Sequence, residues 1–131
     1  MKAQTSPAVA PILLIEDEPS VTAFLRAALE RHGYAVANAA SGAEGLKMLT
    51  AGKYSGVISD IRMPGAVNGA EVHAWIQKNL PELCARIILI SGDTANSETQ
   101  AFLAQSGTPC IEKPFRVQQL MTVVEKTFGK P

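Results

Sequence analysis

The sequence predicts an α/β fold, built as a parallel β-sheet with helices covering both faces. Short apolar runs, each ended by polar residues, alternate with segments whose apolar residues recur every three or four positions. The first pattern is typical of strands buried on both faces, and the second of amphipathic helices. Because five such pairs follow one another, we predict five βα units joined by right-handed crossovers.

The length allows one folded domain. The chain has 131 residues, and a domain usually has roughly 100–200. Residues 1–10 contain Ala, Ser, Thr and Pro without periodicity, so we interpret them as a flexible lead-in or linker. The folded domain is predicted over residues 11–131.

The first unit begins with the continuous apolar run of residues 12–15, which predicts a buried strand. That run stops abruptly at Glu16, Asp17 and Glu18. The following helix is predicted from Pro19, and its apolar face comprises Val21, Phe24, Leu25, Ala28 and Leu29.

The second unit follows Gly33, which closes the first helix. Residues 34–39 predict a weaker strand, and Ser41 is expected to cap a short helix that ends at Gly52. The remaining three units repeat the pattern, with strands predicted over residues 54–59, 87–90 and 108–112 and helices over residues 69–79, 96–106 and 117–128.

Composition excludes several classes of protein. Lys plus Arg number 12 and Asp plus Glu number 12, so no net positive charge attracts nucleic acid or anionic lipid. Cys84 and Cys110 lack the spacing of a zinc site, and two cysteines do not make a disulfide scaffold. No apolar run approaches the ~20 residues of a membrane span, and no signal peptide is recognisable. We therefore expect an unexported cytoplasmic protein without membrane insertion or direct nucleic-acid binding.

Polar side chains follow four of the predicted strands, at the point where each strand ends. In parallel sheets the carboxyl ends of the strands meet at one edge, where ligands bind. Carboxylates gathered there repel one another, and Mg²⁺ relieves that repulsion. A lysine and a hydroxyl beside the cation would complete a site for a transferring phosphoryl group, with Asp60 as the nucleophile. The residues predicted to converge are Glu16, Asp17, Glu18, Asp60, Ser91 and Lys113.

Four motifs in this order make the chain resemble the receiver domain of two-component response regulators. The resemblance covers residues 11–128 and implies a chemotaxis-regulator-like, flavodoxin-like (βα)5 fold with strand order 2-1-3-4-5. The motifs are Ile15-Glu16-Asp17-Glu18, Asp60-Ile61-Arg62-Met63-Pro64, Ile90-Ser91-Gly92 and Glu112-Lys113-Pro114-Phe115.

The resemblance also implies a role for each matching residue. Asp60 would accept a phosphoryl group, and Lys113 would pair with that group. Ser91 would turn its hydroxyl toward a phosphoryl oxygen, and the signal would spread as a conformational change through the fourth and fifth βα units. Mg²⁺ would be held by Glu16, Asp17, Asp60 and the backbone carbonyl of Arg62.

The donor implied by the resemblance is a histidine kinase or a histidine phosphotransfer protein. The domain would then phosphorylate and dephosphorylate itself but would not act as an enzyme on outside substrates. Its downstream protein partner is left unspecified, and both a homodimer and attachment to a hybrid histidine kinase stay open. Family members commonly carry Tyr or Phe where Cys110 stands. This departure favours the alternative, a phospho-independent interaction or scaffold domain of the same fold, whereas the retention of every phosphorylation residue counts against that alternative.

Overall fold

The computed structural model describes residues 10–62, 67–92 and 96–131. Most of the predicted lead-in, the Met63 and Pro64 of the second motif, and residues 93–95 lie outside the described residues. The strands are β1 (Ile12–Ile15), β2 (Val36–Ala39), β3 (Gly56–Asp60), β4 (Ile87–Ser91) and β5 (Cys110–Glu112). The helices are α1 (Pro19–Arg31), α2 (Gly42–Ala51), α3 (Gly69–Asn79), α4 (Ser97–Ser106) and α5 (Val117–Phe128), with a short 3-10 helix at Pro81–Leu83.

The five strands form one parallel sheet in the order β2-β1-β3-β4-β5, which confirms the predicted fold and strand order. Successive side chains of a strand point to opposite faces, so each central strand contributes to two cores. Leu14 and Ile58 pack with α1 and α5, whereas Leu13 and Val57 pack on the other face with α2 and α3. All residues of β1, β3 and β4 are buried, including the polar residues that end β3 and β4.

Two strands extend further than the apolar runs indicated. We expected Asp60 and Ser91 to follow β3 and β4, but each is the last residue of its strand. Asp60 pairs in register with Ile90, and Ser91 pairs with Glu112. The sheet therefore fixes the backbone of both polar residues, which an apolar pattern alone does not reveal.

The apolar face of α1 is narrower than predicted. Leu25, Ala28 and Leu29 are buried, but Phe24 is 41% exposed, so the buried face of the helix does not include Phe24. A residue one position before Leu25 is turned about 100° around the helix, which places Phe24 at the margin of the buried stripe. The Phe24 ring instead contacts the ring of Phe115, with 5.7 Å between centroids.

The N-terminus of α3 lies directly against the end of β3. Asn68 caps the helix by accepting a hydrogen bond from the backbone N–H of Glu71, whose side chain in turn accepts one from the N–H of Asn68. The N–H of Gly69 donates to the carbonyl of Ile61. A Cβ on Gly69 would lie 2.5 Å from the backbone oxygen of Asp60, so only glycine allows this close approach.

Candidate functional site

Three carboxylates meet at the carboxyl edge of the sheet. Glu16 and Asp17 follow β1, and Asp60 ends the neighbouring strand β3. One oxygen from each of the three lies within 4.8 Å of the others. The predicted convergence of these residues is confirmed, and it follows from the parallel pairing of β1 with β3.

Lys113 supplies the positive charge of the site. Its Nζ lies 2.6 Å from Asp60 Oδ2 and 3.5 Å from Glu16 Oε1. Its backbone N–H donates to the carbonyl of Ser91, which fixes the residue beside the end of β4. Burial lowers the pKa of Lys113, but the hydrogen bond to Asp60 and the charges of Asp60 and Glu16 raise it overall, so the side chain stays protonated.

Hydrogen bonds to both oxygens orient the carboxylate of Asp60. The backbone N–H of Arg62 donates to Oδ1 over 3.0 Å, and Lys113 donates to Oδ2. Asp60 is 4% exposed, yet it lies at the edge of the sheet where the strand ends. The Asp60 carboxylate is thus held in one orientation by two donors.

Glu16 is the buried member of the cluster. Its Oε2 accepts a hydrogen bond from the backbone N–H of Glu18, whereas Oε1 has no hydrogen-bond partner among the described residues. Burial, reinforced by the charge of Asp60, raises the pKa of Glu16 to about 7. The buried Oε1 oxygen accepts no hydrogen bond from the described residues and is paired only loosely with Lys113, at 3.5 Å. Next to two further carboxylates, it fits a hard divalent cation, which takes oxygen ligands. The residues present therefore fit Mg²⁺.

Ser91 and Arg62 lie at the site, but their predicted roles do not follow from its geometry. Ser91 is buried at the end of β4, on the strand next to that of Asp60. Arg62 is two residues beyond Asp60 and directs its N–H to the Asp60 carboxylate. The hydroxyl switch assigned to Ser91 and the metal contact assigned to the Arg62 carbonyl both stay predictions.

Glu18 is a site residue whose contact the sequence did not specify. It belongs to the acidic run predicted for this edge, and its Oε1 lies 3.4 Å from Lys113 Nζ. Its side chain is 58% exposed, so Glu18 pairs with Lys113 from the solvent side of the site. A like-charged run does not by itself show which of its members faces a lysine nearly a hundred residues away.

An apolar surface borders the site, and sequence reasoning missed it. Phe24, Val21, Pro114 and Phe115 line an open cavity of about 530 Å³ together with Lys113 and Glu18. We call this the Phe24–Phe115 surface. The sequence indicated the motif containing Phe115 and placed Phe24 on the apolar face of α1, but it did not predict a contact between the two rings.

Among the residues that the structure describes, no helix combines the length and apolar composition needed to cross a membrane.

Comparison with known proteins gives a family match over most of the chain. The sequence model for the response regulator receiver domain matches residues 12–125. The chain is 32% identical over 123 residues to the sensor kinase CckA of Brucella abortus, covering 92% of this chain and 13% of that protein. It is 33% identical over 120 residues to the transcriptional regulatory protein GlrR of Escherichia coli, covering 90% of this chain and 27% of that protein. The chain thus spans 13% and 27% of the length of these two relatives.

Solved structures show the same fold. A CheY-like receiver domain protein from Methanospirillum hungatei superposes with a TM-score of 0.82 at 24% identity, covering 92% of this chain and 94% of that one. The response regulator TrrA from Thermotoga maritima, solved in complex with Mg²⁺-BeF, superposes with a TM-score of 0.78 at 32% identity. That match covers 91% of this chain and 99% of the other.

Proposed function

The chain belongs to the response regulator receiver domain family, and we propose that it receives a phosphoryl group on Asp60 from a phosphohistidine. The observation that carries this proposal is the environment of Asp60. Its carboxylate lies between Lys113 and two further carboxylates, and its two oxygens accept from Lys113 and from the Arg62 N–H. A pre-oriented carboxylate beside a protonated lysine is suited to accept a phosphoryl group.

The proposed reaction exchanges one bond at phosphorus for another. An oxygen of Asp60 attacks the phosphorus, an O–P bond forms, and the P–N bond to the donor histidine breaks. Lys113 offsets the negative charge on the phosphoryl oxygens, since its ammonium already lies 2.6 Å from Asp60. Attack of water on phosphorus later releases phosphate and restores the carboxylate, so the domain returns to its starting state without turning over an outside substrate.

Mg²⁺ is the cation proposed for the carboxylate cluster, held by Glu16, Asp17, Asp60 and the backbone carbonyl of Arg62. When bound, it would neutralise charge on the phosphoryl oxygens. Oε1 of Glu16 supports this assignment, because this buried oxygen accepts no hydrogen bond from the described residues and its ion pair with Lys113 is long, at 3.5 Å. The Mg²⁺-BeF complex of the related TrrA gives independent support.

The partner is proposed to be a histidine kinase or a histidine phosphotransfer protein that docks on the Phe24–Phe115 surface. Phosphoryl transfer requires the donor imidazole to approach Asp60 closely, so the donor must contact the surface that borders the site. Phe24 is exposed there, and it belongs to the same cavity as Lys113. Exposed aromatic rings beside a reactive group are typical of protein contacts.

The output is proposed to run through Ser91 and the fourth and fifth βα units. Ser91 connects the site to α4, and its carbonyl accepts from the N–H of Lys113. Among the ten residues of α4, only Thr99 is buried, so few contacts oppose its displacement. A change at Ser91 can therefore be passed on to α4 at low energetic cost.

The proposal is tested by incubation with phosphoramidate, whose P–N bond is of the same chemical kind as that of phosphohistidine. We expect a covalent phosphoryl adduct by intact mass when Mg²⁺ is present and far less when EDTA removes it. Absence of any adduct in both conditions would contradict the proposal and leave the phospho-independent scaffold as the better description.

A further inference from the structure

Ser59 is a polar residue in an otherwise apolar row of the sheet. It is 0% exposed and lies on the face of β3 that also carries Val57. Its register partners are Ile15 on β1 and Leu89 on β4, and both belong to the apolar core on that face. A hydroxyl in such surroundings is costly unless it makes a hydrogen bond, whereas an apolar side chain carries no such cost. The serine at this position therefore calls for a reason other than packing.

The Ser59 hydroxyl donates to the backbone carbonyl of Asp60, with 3.0 Å between the two oxygens. The N–H of Ile61, in the same peptide group, donates to the carbonyl of Ile90 on β4. Since the C=O and N–H of a trans peptide point in opposite directions, the Asp60 carbonyl points toward the β1 side of β3. The pairing of β1 with β3 ends at Ser59, one residue before this carbonyl. The hydroxyl thus binds a carbonyl that lies beyond the last β1–β3 pair.

This carbonyl is part of the backbone that orients the carboxylate of Asp60. The peptide group after Asp60 leads to the N–H of Arg62, which donates to Asp60 Oδ1 over 3.0 Å. Gly69 packs against the same carbonyl, since a Cβ at Gly69 would lie 2.5 Å from its oxygen. Rotation of the peptide group would move the Arg62 N–H away from the carboxylate. The hydrogen bond from Ser59 opposes that rotation.

We propose that Ser59 is a positioning residue for phosphoryl transfer to Asp60, acting through the backbone and not by contact with the phosphoryl group. The inference rests on the proposed function, in which Asp60 is the acceptor. The hydroxyl fixes the peptide group that follows Asp60, and this peptide group fixes the Arg62 N–H that orients Oδ1. Because a misdirected carboxylate reacts more slowly, loss of the hydroxyl should lower the rate of transfer beyond any effect on stability.

Two substitutions separate the hydrogen bond from packing. Ser59→Ala removes the hydroxyl, whereas Ser59→Cys keeps a side chain of similar size but offers a much weaker donor. We expect the rate of labelling by phosphoramidate at saturating Mg²⁺ to fall about tenfold in both variants, since each lacks a strong buried hydrogen bond. Ile12→Val, a buried substitution at the opposite end of β1, is the control for lost stability and should keep the wild-type rate. A wild-type rate in either Ser59 variant would overturn the proposal.

A second measurement does not require phosphorylation. The amide proton signal of Arg62 in the NMR spectrum reports the hydrogen bond from this N–H to Asp60 Oδ1. We expect an upfield shift, the direction of a weakened hydrogen bond, in both Ser59 variants and an unmoved signal in Ile12→Val. If the wild type is not labelled at all, the proposed function fails, and the Arg62 signal still tests the role of Ser59. An Arg62 signal that stays in place or moves downfield in the Ser59 variants would overturn the positioning role.

Discussion

Lys113 Nζ and Asp60 Oδ2 lie 2.6 Å apart, joining the residue after β5 to the last residue of β3. The two strands are not neighbours, because β4 lies between them. The ion pair therefore spans the edge of the sheet on which all the proposed chemistry takes place. Both partners are mostly buried, so the pair is only weakly screened by solvent.

The first prediction is that Lys113→Ala slows phosphorylation of the domain by phosphoramidate. The variant removes the cation that offsets phosphoryl charge, and loss of one such group typically costs about 100-fold in rate. Lys130→Ala, which removes an exposed lysine elsewhere, is the control and should react like wild type. Stopped-flow or quenched-flow rates at saturating Mg²⁺ measure the effect, and an unchanged rate in Lys113→Ala would contradict the role of the lysine.

The second prediction is that Mg²⁺ binds at the carboxylate cluster and that Asp17→Asn abolishes this binding. Neutralising one carboxylate removes both a ligand oxygen and part of the attraction for the cation. Glu82→Gln removes an exposed carboxylate distant in sequence and should leave the affinity unaltered. Amide shifts near Asp17 and Asp60 during a Mg²⁺ titration report the binding, and equal affinity in Asp17→Asn would refute the assignment.

The third prediction separates docking from chemistry. Phe24→Ala should slow transfer from a phosphorylated histidine kinase that is active on the wild type, but not labelling by phosphoramidate, because only the protein donor needs the Phe24–Phe115 surface. Val117→Ala is the matched control, since Val117 is similarly exposed at 38% but does not line that cavity. If Phe24→Ala slowed transfer from the histidine kinase and labelling by phosphoramidate equally, Phe24 would act on the site itself and the prediction would be contradicted.

Much of the fold could be predicted because it depends on local patterns. The apolar runs of β1 and β4 and the cap at Ser41 are visible in a few consecutive residues, and all three are confirmed. The strand order could not be predicted from local patterns, because the alternation of strands and helices permits several orders. Only the resemblance to receiver domains indicated the order that the sheet adopts.

The composition of the site was also predictable, since carboxyl ends of parallel strands share one edge. What the sequence could not supply is the geometry between side chains from distant segments. The contact of Glu18 with Lys113 and that of Phe24 with Phe115 each depend on rotamers and on the turn after β5. The burial of His73, a residue of α3 that is 7% exposed, likewise depends on how α3 packs against Phe102 of α4.

The fourth prediction concerns pH and His73. Because burial lowers its pKa in the folded state, the unfolded chain takes up the proton first as the pH falls. The stability associated with neutral His73 is therefore present above about pH 6.5, the ordinary value, and is lost as the pH falls through the lowered pKa. Urea unfolding of wild type and His73→Phe from pH 7.5 to 5 measures this. The wild type should lose stability relative to the variant, and parallel curves would contradict the prediction.

The central claim is that Asp60 is the phosphoryl acceptor, and mapping the adduct tests it most directly. The protein is treated with phosphoramidate and Mg²⁺, the acyl phosphate is reduced with borohydride, and the modified residue is located by peptide mass spectrometry. We predict modification at Asp60 alone and none in Asp60→Asn, with labelling retained in Glu82→Gln. An adduct on any other residue, or undiminished labelling of Asp60→Asn, would contradict the account.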